Sequence, residues 1–327
     1  MHRTFCSIIL LGATFLVAPL SASGVTIQWS PVGNAGNAAD SSPFTGHGAV
    51  GYSYNIGTYD VTNSQYVEFL NAKDSTGANP LGLYTSGPDG MSNGTYGGIN
   101  FSAGNASGNK YSVISGNGNH PVNNVTWYDT IRFANWLNNG QGNGDTETGA
   151  YTLLGGTPTP SNGDSITRNA GAAVFLPSED EWYKAAYNIP ATNSYYQYPT
   201  SSNTAPIGSS PTALPNHANF QPDGPDNLTD VGAYTDTTSP YGAFDMGGNV
   251  YQWNESFFGI SLRGLRGGSF FAYLNNGLQS SNEGGDDPWR VATNVGFRVA
   301  STVPEPSSLA LAALGFIALA AWRLRRR

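Results

Sequence analysis

Three short stretches of this chain carry helical spacing behind an N-terminal capping pair, and long runs rich in glycine, asparagine, serine and threonine separate them. Thr62 and Gln65 precede Tyr66, Phe69 and Leu70; Thr126 and Asp129 open a stripe of Trp127, Ile131, Ala134 and Leu137; Ser178 and Glu181 lead into Trp182, Ala185 and Ala186. A side-chain oxygen that accepts from the third backbone N–H, answered by a side chain reaching back, marks a helix start. The pattern predicts helices over 63–72, 127–138 and 179–187. Alternating stretches predict strands at 25–29, within 50–59, at 262–271 and at 295–301. Between them lie excursions at 74–119 and 139–172 and an irregular, proline-rich stretch after Pro190, all long for connections in a compact domain. Tyrosine and tryptophan recur through these stretches, which disordered segments lack, so the loops are expected to be ordered. The expected class is α+β, with few short helices and strands and long irregular loops.

The two ends have a different character. His2 and Arg3 precede an apolar run over 5–20 closed by Ser21, Ala22 and Ser23, the layout of a secretory signal peptide at 1–23. At the other end Pro304, Glu305 and Pro306 precede an apolar stretch at 309–322 and a cluster of Arg323, Arg325, Arg326 and Arg327. That stretch is shorter than the ~20 residues of a usual spanning helix. The arginines would hold the C-terminus inside and leave the body outside. The organisation read from this is 1–23 signal peptide, 24–302 folded domain and 303–327 sorting or transmembrane segment.

The body carries nine Lys and Arg against 21 Asp and Glu, a net charge of −12. Such a surface repels phosphates, which excludes nucleic acid as a partner. The single cysteine, Cys6, lies in the signal region, so the exported body has no disulfide, thiolate metal site or thiol nucleophile. There is no H-E-x-x-H helix or phosphate loop with a lysine. Asp286 and Asp287 are adjacent in a glycine-rich stretch and read as a solvated turn rather than a glycosidase pair. Glu179, Asp180 and Glu181 suit the first turn of a helix and need no catalytic role.

Residues 241–253, YGAFDMGGNVYQW, read as a binding loop and not as a core strand. Asp245, Asn249 and Gln252 offer side-chain oxygens, and Gly247 and Gly248 permit turns that bring carbonyls to the same side, the chemistry of a hard cation such as Ca²⁺. Asn143, Asp145 and Glu147 also alternate oxygen donors, but they match no complete calcium loop and read as a solvated hairpin.

The 241–253 segment resembles the GLYDMxGNVWEW motif of the formylglycine-generating-enzyme family, the sulfatase-modifying-factor domain. Further segments resembling that family follow its order: YDVTNSQYVEFLNA at 59–72, HPVNNVTWYDTIRFANWL at 120–137, FLPSEDEWYKAA at 175–186, LRGGSF at 265–270 and GFRVA at 296–300. The resemblance implies the family's variant of the C-type-lectin-like fold over 24–302. It implies two structural calcium sites. One matches Asp245, the carbonyls of Gly248 and Val250, and Gln252, where the family's usual glutamate is replaced. The other matches Asn219, the carbonyl of Phe220, Asp223 and the carbonyl of Pro225.

Family members that generate formylglycine hold Cu(I) with two cysteines, and those positions fall near Ala272 and Gly277. Neither can bind copper, so no copper is expected and the oxidase activity is expected to be absent. The related sulfoxide synthases use clustered histidines, whereas His47, His120 and His217 are far apart in this sequence. Residues 270–294 resemble the ligand-contacting region of the retroelement-diversified variable proteins that share the fold. Tyr273, Asn275, Asn276, Gln279 and Trp289 would be its contacts. The tail resembles the PEP-CTERM sorting signal, which implies an exosortase-type processing partner and membrane contact through 309–322. The expected function is an exported, noncatalytic binding or matrix module facing exopolysaccharide or another surface ligand. The alternative is an oxidoreductase of the formylglycine-generating type, or another activity in the same pocket.

Overall fold

The computed structural model describes residues 24–41 and 46–303; the expected signal peptide at 1–23 and the apolar stretch at 309–322 lie outside them. Each capping pair forms as a reciprocal box. The helices are α1 (Asn63–Lys73), α2 (Trp127–Asn138) and α3 (Glu179–Tyr187). In α3, for example, Glu181 N–H donates to Ser178 Oγ at 3.2 Å while Ser178 N–H donates to Glu181 Oε2 at 2.7 Å. Each N-cap contributes on the order of 1 kcal/mol. Among the described residues no helix is long and apolar enough to cross a membrane.

The strands are short. In chain order they are β1 (Trp29–Val32), β2 (Tyr54–Gly57), β3 (Ile99–Phe101), β4 (Tyr111–Val113), β5 (Val174–Phe175), β6 (Asn188–Ile189), β7 (Ser194–Tyr195), β8 (Ile207–Gly208) and β9 (His217–Ala218). They continue with β10 (Tyr251–Phe258), β11 (Leu262–Arg266), β12 (Gly284–Asp286), β13 (Val295–Phe297) and β14 (Ala300–Thr302). One four-stranded sheet runs β1-β2-β14-β5 and the other β12-β11-β10-β13; β3-β4, β6-β7 and β8-β9 are isolated pairs. In the second sheet β10 and β13 run parallel, with Gln252 opposite Gly296 and Trp253 opposite Phe297.

Four sequence expectations change here. The opening strand is β1 at 29–32 and not 25–29, because pairing with β2 puts Trp29 opposite Gly57 and Val32 opposite Tyr54. The 262–271 strand ends at Arg266, where Gly267 and Gly268 take positive φ. The 295–301 strand is two strands in different sheets, broken at Arg298 and Val299. The 241–253 stretch is a loop only as far as Val250, and its end begins β10, the longest strand among the described residues. Its Trp253 is buried, which satisfies a core-facing strand position and not a loop.

The main core packs α1, α2 and both sheets around Tyr66, Phe69, Trp127, Phe133, Trp253 and Phe297. A second cluster packs α3 against β1 and β2 through Val32, Tyr54, Ile56, Trp182 and Tyr187. Where the chain crosses between the two sheets sits Arg298, fully buried. It donates from Nε to Gln252 Oε1 at 2.7 Å, from Nη1 to Gly57 O at 2.8 Å and from Nη2 to Phe244 O at 2.8 Å. Asp60 Oδ1 stands 3.0 Å from Nη2, an ion pair whose alignment falls short of a hydrogen bond, so both carboxylate oxygens lack a hydrogen-bond donor. Burial pushes the Asp60 carboxyl up to about 7 against the pull of Arg298.

Truncating Arg298 strands buried acceptors and an uncompensated acid. Arg298→Ala is expected to lower unfolding free energy by about 3–5 kcal/mol, read from denaturant melts. The raised Asp60 value also sets a pH dependence. The folded state holds a proton that the unfolded state releases near 3.8, so stability present at low pH is lost as pH rises from about 4 to about 7. Asp60→Asn is expected to flatten the fall of melting temperature across that window; an unchanged slope in the variant would refute the assignment.

Candidate functional site

The loop before β10 and the segment between β11 and β13 meet beside the 219–229 loop, and backbone bonds weld them. Gly248 N–H donates to Gly267 O, Asn249 N–H to Asn219 O and Phe270 N–H to Asn249 O, each at 2.9 Å. Gly248 has φ +84°, and a Cβ there would stand 2.5 Å from Asn219 O, so the close approach admits only glycine. The Asn249 side chain is spent on this weld: its Oδ1 accepts from Thr229 N at 3.1 Å and Asn219 Nδ2 at 3.2 Å, and its Nδ2 donates to Thr229 O at 3.1 Å.

The ligand set expected at Asp245, Gly248, Val250 and Gln252 does not fit a calcium ion. Gln252 Oε1 accepts from Trp182 Nε1 and from Arg298 Nε, both at 2.7 Å, which fills its two lone pairs. Its amide donates to Asp245 O at 2.7 Å. Asp245 Oδ2 accepts from Gly232 N–H at 2.6 Å, and burial pushes its carboxyl up to about 6 despite that bond and the charge of Arg298.

The set at Asn219, Phe220, Asp223 and Pro225 has a different character. Asn219 is buried, and its Oδ1 has no hydrogen-bond partner. The amide cannot be turned over, because Nδ2 already donates to Asn227 O at 2.8 Å and Asn249 Oδ1 at 3.2 Å. Over Gly224 the loop converges: a Cβ there would lie 2.5 Å from Phe220 O and 3.1 Å from Asn219 Oδ1. Asp223 is exposed. These oxygens fit a hard cation by donor type.

Between β11 and β13, Ala272 and Gly277 are neighbours: a Cβ on Gly277 would stand 3.1 Å from the Ala272 Cβ and 3.7 Å from the Tyr251 hydroxyl. Beside them Tyr273 is 75 % exposed and Leu274 59 %, and Leu274 holds φ +72°, a left-handed backbone rare for a leucine. Asn275 and Asn276 start a 3₁₀ turn, Asn275–Leu278, whose Leu278 is buried as its anchor. Gln279 faces inward, donating from Nε2 to the Tyr198 hydroxyl at 2.9 Å, so it braces the loop more than it meets solvent. Trp289 is 58 % exposed beyond β12.

Some features were not legible in the sequence. Tyr96, from the long 74–119 excursion, packs on Phe270 and Phe271 with ring centroids 5.4 and 5.3 Å away. Gln221 N–H donates to Ala272 O at 3.0 Å and Leu274 N–H to Gln221 O at 3.2 Å, joining the 219–225 loop to the exposed loop. A cleft of about 350 Å³ lies elsewhere, between Thr26, Gln28, Tyr59, Asp60, Ser64 and Asn119. His47, Glu179 and Glu283 also converge, but Arg266 Nη2 already sits 2.6 Å from Glu179 and 3.1 Å from Glu283, so a cation is in place. Asn143, Asp145 and Glu147 do not assemble a site: Asp145 caps its own turn through Thr148 and Glu147 N–H, and Glu147 pairs with Arg132.

Residues 31–303 match the family model described as the sulfatase-modifying factor enzyme 1-like domain, and residues 302–327 match the PEP-CTERM protein-sorting motif. Among curated proteins none matches. Of solved structures, Treponema denticola variable protein 1 is 20 % identical with a TM-score of 0.55, covering 86 % of this chain and 97 % of its own. CarF is 19 % identical with a TM-score of 0.54, covering 85 % and 99 %. At these identities the likeness establishes the fold, the C-type-lectin-like α+β arrangement expected from the sequence.

Because Tyr273 and Trp289 are largely solvent-exposed, Tyr273→Ala and Trp289→Ala are expected to change unfolding free energy by no more than about 0.5 kcal/mol. A thermal melt of each variant checks this.

Proposed function

The chain belongs to the sulfatase-modifying factor enzyme 1-like family, and from that premise we propose that it is an exported, noncatalytic binding module. The PEP-CTERM motif at 302–327 marks it for export and exosortase-type sorting. The carrying observation is the sulfur-free pair: Ala272 and Gly277 stand side by side at the positions the resemblance assigns to the copper-binding cysteines, and Cys6 is the only cysteine in the chain. Cu(I) at such a site needs soft thiolate donors, and a methyl group and a hydrogen atom supply none.

What remains is a rigid scaffold that presents a loop. Tyr273, Asn275, Asn276 and Trp289 offer flat rings and amide groups without charge, a surface suited to a neutral, hydroxyl-rich ligand such as exopolysaccharide. The strongly acidic body disfavours polyanions.

A peptide with the sulfatase Cys-x-Pro-x-Arg motif, incubated with the protein, copper and O₂, is expected to show no mass change; turnover overturns the noncatalytic reading. Retention on the producing organism's exopolysaccharide is expected to fall about tenfold or more in the Tyr273→Ala/Trp289→Ala double variant. Equal retention of the double variant and the parent chain would remove this loop from the binding reading.

A further inference from the structure

We infer that the long 74–119 excursion carries a separate binding site, an aromatic cup for a quaternary ammonium group, walled by Tyr84, Phe101 and Tyr111 with the Asp74 carboxylate behind it. The inference is independent of what the exposed 270–294 loop binds.

Phe101 on β3 and Tyr111 on β4 stand opposite each other in their ladder, and Tyr84 joins them from the loop before β3. The ring centroids lie 5.3 Å (Phe101–Tyr111), 5.1 Å (Tyr84–Tyr111) and 6.0 Å (Tyr84–Phe101) apart, and the planes tilt by 42°, 49° and 41°. With Gly77, Asn79 and Ser86 they line a cavity of about 170 Å³. Phe101 is 39 % exposed, whereas Tyr84 and Tyr111 are buried. Gly77 lets the chain pass close to this ring, since a Cβ there would stand 2.5 Å from Phe101 Cε2. With centroids this close, one nitrogen can stand within about 6 Å of all three rings, the range over which a ring face attracts a cation.

The polar groups of the walls are already spent. Asn79 Oδ1 accepts from Tyr84 N–H at 3.2 Å, and its Nδ2 donates to Tyr84 O at 2.8 Å. The Tyr84 hydroxyl donates to Ile99 O at 3.2 Å, and the Tyr111 hydroxyl donates to Asp74 Oδ2. Only the Ser86 hydroxyl has no partner among the described residues. A sugar, whose hydroxyls must be paired once they leave water, finds little here.

The charge around the cup favours a cation. Asp74 is buried, accepts from Asn79 N–H at 2.9 Å as well as from Tyr111, and forms no ion pair among the described residues. Lys73 and Lys110, next to Asp74 and Tyr111 in the chain, are turned to carbonyls elsewhere: Lys73 Nζ donates to Gly144 O at 2.7 Å and Lys110 Nζ to Ala103 O at 2.6 Å. A carboxylate with no cation beside it attracts positive charge in a medium that screens poorly. Its bond from the Tyr111 hydroxyl also enriches that ring in electron density. A primary ammonium would bring N–H groups that ring faces leave unpaired, whereas methyl groups on nitrogen need no acceptor.

The test is titration of the purified full chain with choline and with its neutral isostere 3,3-dimethylbutan-1-ol, followed by ligand-observed NMR. Choline is expected to bind about threefold or more tighter than the isostere. Phe101→Leu keeps an apolar side chain but removes the ring face, and is expected to weaken choline about threefold or more while moving the isostere less than about twofold. Asp74→Asn is expected to weaken choline and spare the isostere, whose unchanged binding shows that the cup still folds. Glycerophosphocholine bound as tightly as choline would assign the group to a lipid headgroup, and weaker binding to a free solute. No choline binding, equal binding of choline and isostere, or choline binding unmoved by Phe101→Leu would overturn the inference.

Discussion

Arg298 is the contact on which the rest of the structure depends. Its guanidinium meets the end of β2 at Gly57, the loop carbonyl of Phe244, the Gln252 side chain on β10 and the Asp60 carboxylate. It sits between β13 and β14, where the chain passes from one sheet into the other. Sheets this small cannot hold each other by strand pairing, and the exported body has no disulfide. A buried, multiply bonded cation does that work, and a network of this kind is stable only while nearly every member is satisfied.

The same device recurs. Arg132 donates to the carbonyls of Leu81, Thr157 and Pro158 and pairs with Glu147. Arg263 binds the carbonyls of Gly163, Ile166 and Glu255 beneath the rings of Trp127 and Phe257. Arg266 reaches the carbonyls of Ser280 and Asn282 as well as Glu179 and Glu283. All four arginines are essentially inaccessible. Long loops leave backbone carbonyls that no helix or sheet pairs, and each must find a donor once buried. A guanidinium offers five donors in a fixed fork, so one arginine pins several loop turns. This accounts for ordered loops in a chain with few charges: the few cations go inside.

That economy shapes the candidate site. Arg266 and Leu278 hold the base of the 270–294 segment, and the 219–225 loop holds its flank. Tyr273, Leu274 and Trp289 remain in solvent on a supported frame. Glu181 shows how one residue serves several levels: it closes the α3 capping box, receives Arg168 at 2.5 Å and accepts from the Tyr52 hydroxyl at 2.6 Å. The acidic trio at 179–181 reads in sequence as helix-dipole charge alone, because nothing local announces a partner as remote as Arg168 or Arg266.

What the sequence determined by itself is what local physics controls. The three capping boxes, the apolar stripes behind them and the ordered family segments place α1, α2 and α3 and the fold class, since each depends on neighbours within a turn of helix. Tertiary structure alone decided the rest. Residues 251–258 form a strand because β11 and β13 flank them, although YQWNESFF has no clean alternation. Residues 295–301 split between sheets because Arg298 must sit in the middle. The expected calcium ligands separated into a set closed by Arg298 and a set left open at Asn219. Their oxygens look alike in sequence, and only the donors that folding brings to each oxygen tell them apart.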